Sequence, residues 1–121
     1  MTDLQLTNAS ARLLNFALAQ PENMTKTSDI LRAGMVTKVL EESIPEAPTF
    51  VQTAQTTQDE ADAHNANVKA WNRAPFILYD VSEKTKELAR SVITKMAEKG
   101  RLGASHDVVD LLTALGFKID E

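Results

Sequence analysis

Residues 76–117, FILYDVSEKTKELARSVITKMAEKGRLGASHDVVDLLTALGF, decide how the chain is read. Phe76, Leu78 and Asp80 alternate with Ile77, Tyr79 and Val81, and their aromatic and aliphatic content suits a half-buried strand. Ser82 then offers a side-chain oxygen to the free N–H groups of a helix that begins at Glu83, whose carboxylate suits the positive end of the helix dipole. On a 100° wheel Thr85, Leu88, Ala89, Val92, Ile93, Met96 and Ala97 form one stripe, opposite Lys84, Glu87, Ser91, Thr94 and Glu98. Lys95 and Lys99 suit the exposed carbonyls of the last turns, and Gly100 can take the left-handed cap position, so the helix ends there. Ser105 is a second N-cap, Val108, Leu111, Leu112 and Leu115 make a second stripe, and Gly116 followed by Phe117 fits a Schellman ending.

Working outward toward the N-terminus, Thr7 or Asn8 caps a helix that runs to about Ala19, with Ala9, Leu13, Phe16 and Ala17 as its apolar face and Leu14 and Leu18 widening it. Gln20-Pro21 breaks it. A second helix begins after Thr25 or Thr27 and runs to about Ser43, stopped by Pro45. Its apolar residues fall in three directions: Ile30, Ala33, Gly34 and Ile44; Leu31 and Met35; Val36, Val39 and Leu40. A helix apolar nearly all round calls for cover on all sides. Residues 45–67 hold only Phe50 and Val51 as large apolar groups, so the expectation is an extended, mobile connection with a short edge strand at Thr49 to Thr53. Within it, Ala61, His64, Val68 and Trp71 keep helical spacing, which makes Asp59 to Arg73 a candidate helix.

The expected fold is therefore mainly α, an α+β chain with one or two short strands in a single small domain. It divides into a helical hairpin over 1–44, the extended connection over 45–67, and a strand-helix-helix unit within 68–121. The expected core is Leu88, Val92, Ile93, Met96, Val108, Leu112, Leu115, Leu13 and Phe16.

Composition narrows function by exclusion. The chain has 121 residues and no cysteine, which rules out disulfides and thiolate metal sites and suits a cytoplasmic protein. No leader or membrane-spanning run is legible. The net charge of −4 is spread evenly, with −1, −2 and −1 over residues 1–45, 46–75 and 76–121. That argues against a nucleic-acid partner, which a basic face would announce. Lys84, Lys86, Arg90, Lys95, Lys99 and Arg101 come closest to such a face, but Glu83, Glu87 and Glu98 dilute them into a solvated helix surface. Glu60 and His64 stand one turn apart, a metal-ligand spacing that lacks further ligands nearby. His106 reads as a surface residue, and Asp80 beside Tyr79 is a carboxylate without a partner base. Neither GxSxG nor HExxH nor a phosphate-cradling glycine loop occurs. The reading assigns no catalytic residue, cofactor or metal.

What remains is a protein-interaction module that works by surface and oligomerisation. A chain this small and motif-poor suits a phage or bacterial accessory factor, such as an assembly chaperone or an inhibitor of a host process. A lone strand must find a partner, either the short stretch around Phe50 and Val51 within the chain or its own copy across a two-fold axis, and the second helix has apolar residues to spare. The expectation is a homodimer with Ile30, Met35, Val36, Val39 and Leu40 at the interface.

One resemblance gives a different second reading. Strand FILYDV, a helix from Ser82, a glycine turn and a second helix opened by Ser105, VVDLLTALG, together resemble the layout of ribbon-helix-helix proteins. Over that third of the chain the resemblance implies a small dimer that pairs its strands across a two-fold axis and reads DNA with them in the major groove. The strand carries no Lys, Arg, Asn or Gln to reach base edges, so this reading stands second.

The stripe on the long helix is directly testable. Val92→Asp buries an unpaired charge and is expected to cost several kcal/mol, enough to unfold the chain. A Val92→Asp protein that stays soluble and melts cooperatively near the wild-type temperature would show the face to be misassigned.

Overall fold

The computed structural model describes residues 2–118. Its elements run β1 (Thr2–Thr7), α1 (Asn8–Leu18), a single 3-10 turn at Pro21–Asn23, α2 (Thr27–Ser43), α3 (Gln58–Arg73), β2 (Pro75–Val81), α4 (Glu83–Glu98) and α5 (His106–Ala114). Five α-helices and one two-stranded antiparallel sheet make a small, mainly α fold.

The element that the sequence reading lacked is β1. Leu4 and Leu6 point inward while Asp3 and Gln5 stay exposed, and this short alternation pairs Leu4 with Leu78, Leu6 with Phe76 and Thr7 with Pro75. The partner of β2 is thus the start of the chain, and Thr49 to Thr53 forms no strand. Phe50 instead lays its ring on His64 of α3, with centroids 4.8 Å apart and planes 18° from parallel. The extended connection is also shorter than expected: α3 begins at Gln58, so it covers 45–57 rather than 45–67, and the N-terminal unit is a strand plus two helices rather than a helical hairpin.

Thr7 ends the strand and starts the helix. Its Oγ1 accepts from the Ser10 N–H at 3.2 Å while its own N–H donates to Ser10 Oγ at 2.8 Å, a reciprocal capping box. The helix that follows buries Ser10, Ala11, Leu14, Ala17 and Leu18. That face is not the expected one. Leu13 is half-buried and Phe16 is 60% exposed, because small residues on the inner face let α1 come close to α2, α3, α4 and α5 as well as both strands. A phenyl ring there would hold those elements apart.

The C-terminal unit follows its local grammar closely. Ser82 Oγ accepts from the Thr85 N–H at 3.2 Å, and Leu88, Ala89, Val92, Ile93 and Met96 are buried. Both α4 and α5 end in Schellman motifs: Gly100 N–H reaches Ala97 O and Arg101 N–H reaches Met96 O, and Gly116 and Phe117 repeat the pattern onto Thr113 and Leu112. Gly100 and Gly116 take φ of 70° and 87° there. Ser105 occupies the N-cap of α5, but its side chain makes no capping bond. Of the expected core residues here, Val108 and Leu115 are buried and Leu112 is half-buried.

Leu6 and Val51 separate the two assignments of the partner strand. Leu6→Ala is expected to cost about 2–5 kcal/mol, since Leu6 is buried in the core cluster, and to lower Tm by roughly 10 °C or more. Val51→Ala should stay within about 0.5 kcal/mol. Equal losses in thermal melts of the two variants would contradict the pairing with β1.

A candidate protein-binding groove beside the sheet edge

The site begins with a carboxylate in the wrong register. Strict alternation along Phe76, Leu78 and Asp80 would put all three on the core face, burying a charge without a partner. The strand avoids this with a bulge. Leu4 pairs with Leu78 but Thr2 pairs with Val81, so two steps along β1 match three along β2. Asp80 absorbs the extra residue with φ 55°, in the left-handed region that Asp tolerates better than most residues, and its N–H donates to Asp3 Oδ1 at 2.9 Å. Parity flips: Val81 goes inside, and Tyr79 and Asp80 both face out, Tyr79 at 67% exposure.

Beside this bulge runs a groove of about 330 Å³, walled by Met35, Val36 and Val39 of α2 and by Leu78 to Val81 of β2, and closed at one end by Ser82 and Thr85. Its walls are chiefly apolar. The Ser82 and Thr85 hydroxyls lie 2.9 Å apart, bonded to one another at the start of α4. Above the groove α2 exposes a ridge spaced four residues apart, with Leu31 at 65%, Met35 at 72% and Val39 at 47%. Burial on α2 is confined to Ala33 and Leu40, so the helix is covered on one side and not all round.

Set against the residues expected from sequence, Met35, Val36 and Val39 come together in the groove and Ile30 is exposed outside its lining. Leu40 does not belong to this surface. It is fully buried against the chain's own core, because it lies on the face that α2 turns to α1 and α4. Leu31, absent from the expected set, joins the ridge; its spacing to Met35 and Val39 was the available signal.

The other candidate positions are engaged elsewhere. His64 stacks on Phe50, and Glu60 Oε1 accepts from the Thr57 hydroxyl at 3.2 Å where Thr57 caps α3. His106 Nε2 lies 3.7 Å from Asp110 Oδ1 on an open surface. Four cations of the suspected basic face are tied down. Lys95 and Lys99 donate to the backbone oxygen and Oδ1 of buried Asn23, each at 2.8 Å, Arg90 Nε donates to Leu115 O at 2.6 Å, and Lys86 pairs with Glu83 at 3.4 Å. Three of these contacts knit the fold.

No protein-family model, curated protein or solved structure matches the chain. The class that the fold and site define is a small mainly α protein with a two-stranded sheet and an apolar groove between that sheet and α2.

The bulge makes a sharp substitution test. Asp80→Asn keeps a residue that accepts positive φ and is expected to hold stability within about 0.5 kcal/mol, whereas Asp80→Val meets the left-handed penalty of about 1–2 kcal/mol. Urea melts that rank Val at or above Asn would contradict the backbone assigned to Asp80.

Proposed function

We propose that this protein is a non-enzymatic interaction module that acts by binding protein through the α2 ridge and the groove beneath it, and that it does so as a homodimer. The observation that carries this reading is the exposure of Leu31, Met35 and Val39 in one line beside an apolar groove. Such a surface gains free energy by being covered, at about 25 cal/mol per Å² of apolar area removed from water. The groove offers one carboxylate, Asp80, and no adjacent base, and its Ser82 and Thr85 hydroxyls are bonded to each other, an arrangement suited to receiving side chains rather than to activating a bond. A part as an accessory factor, chaperoning an assembly or inhibiting a larger machine, fits a module of this kind.

The strand that the ribbon-helix-helix resemblance would place on a two-fold axis already has β1 along one edge, and its outward side chains, Ile77, Tyr79 and Asp80, include no base-reading donor of the Arg or Asn type.

Light scattering over a tenfold concentration range in the micromolar regime tests the proposal. The expected mass is twice 13.3 kDa, and Met35→Glu should weaken association by at least tenfold while leaving the melting temperature of the monomer unchanged. A mass that holds at 13.3 kDa throughout would exclude the dimer. Binding to mixed duplex DNA that falls steeply with salt would replace the module with the DNA-binding reading.

A further inference from the structure

The phase of the β1–β2 ladder follows from one hydrogen bond. Asn8 N–H donates to Ala74 O at 3.0 Å, so residues 8 and 74 face each other as a bonded pair. Antiparallel pairing alternates bonded and non-bonded pairs. With Leu6 opposite Phe76 and Leu4 opposite Leu78, the backbone groups of Phe76 and Leu78 turn toward β1. Those of Ile77, and the N–H of Tyr79, turn the other way. Two independent features agree with this phase. Thr7 N–H, which the phase directs away from β2, is taken by Ser10 Oγ at 2.8 Å, and Pro75, which has no N–H to give, falls at an outward position.

The two outer edges of the sheet are not equivalent. α5 packs against β1, while the groove touches four residues of β2 and none of β1, and so lies on the side of β2 away from β1. A strand edge left open beside an apolar groove is a template for another strand. The charge pattern says which strand. Arg73, the exposed last residue of α3 two positions before β2 begins, and Asp80, exposed near the C-terminal end of β2, make no ion pair among the described residues. An antiparallel copy of the same strand brings each of these charges to the other's end.

We propose that the free edge of β2 is the seam of the homodimer, pairing antiparallel with the β2 edge of a second copy across a two-fold axis and joining two sheets into one of four strands. This rests on the dimer proposed above and specifies its geometry. With Ile77 on the axis, the two Ile77 residues exchange both of their hydrogen bonds, and each Tyr79 N–H meets the Pro75 carbonyl of the other copy. Pro75 has no N–H to return to the Tyr79 carbonyl, so each end of the seam closes with one bond where Ile77 makes two. Asp80 then lies across from Ala74 of the second copy, next to its Arg73. The Pro75 end of that copy's strand runs along the groove beside Met35 and Val39.

Two measurements on the full chain test the seam. Amide exchange by NMR, above and below the association midpoint, should slow Ile77 and Tyr79 by at least tenfold on dimerisation, while Leu78, already bonded to Leu4, is protected at both concentrations. In light scattering, Arg73→Glu and Asp80→Lys should each weaken self-association by about tenfold, since each sets like charges together twice per dimer, and an equimolar mixture of the two should restore it. The low-concentration melting temperature checks that each variant folds. A dimer in which Ile77 and Tyr79 exchange as fast as in the monomer, or single variants that the mixture does not rescue, would overturn the seam and leave the α2 ridge as the interface. A strict monomer would remove both.

Discussion

A strand cannot stand alone, and that constraint organises the chain. The backbone groups of β2 need partners on at least one edge, and the ladder that supplies them comes from Thr2–Thr7, some seventy residues away in sequence. Pairing the two brings Leu4 and Leu6 into the core. Because Thr7 is at once the last residue of β1 and the cap of α1, the strand pair also sets where α1 starts, and α1 is the helix that every other helix touches. The link is continuous: ladder, cap, helix, core.

The bulge at Asp80 shows a local conflict resolved at small cost. Keeping the ladder regular would have buried a carboxylate, while skipping one residue costs a left-handed backbone at Asp80, offset by the Asp3 carboxylate that accepts its N–H. The same adjustment turns Asp80 outward and Val81 inward, next to the exposed Tyr79, and so shapes the groove. Structure and candidate site therefore share one cause.

The second helix illustrates where pattern reading loses its grip. Apolar residues pointing in three directions look the same whether neighbours cover one of them or all three. Here α1 and α4 cover the side of Ala33 and Leu40, and the side of Leu31, Met35 and Val39 is left open. Leu40 and Val39 are adjacent in sequence and alike in hydropathy, yet one is core and the other surface. Neighbours made that distinction.

From the sequence alone came the features governed by short-range chemistry: the capped starts at Thr7 and Ser82, the glycine ends at Gly100 and Gly116, the buried stripe Leu88 to Met96, the half-buried line Ala61, His64, Val68 and Trp71, and the mainly α class. Each depends on groups a few residues apart, and their spacing is written in the chain. Tertiary structure decided the remainder. It chose β1 over Phe50 and Val51 as the partner of β2, because two leucines alternating over four residues are too brief a pattern to read until a partner ladder is present. It turned Phe16 outward in favour of Ser10, Ala11 and Ala17, because close approach of several elements favours small side chains over large ones. It shifted Asp80 out of register, and it left one side of α2 bare. Those outcomes rest on contacts between residues far apart in sequence, where the energy of a side chain is set by what lies across from it.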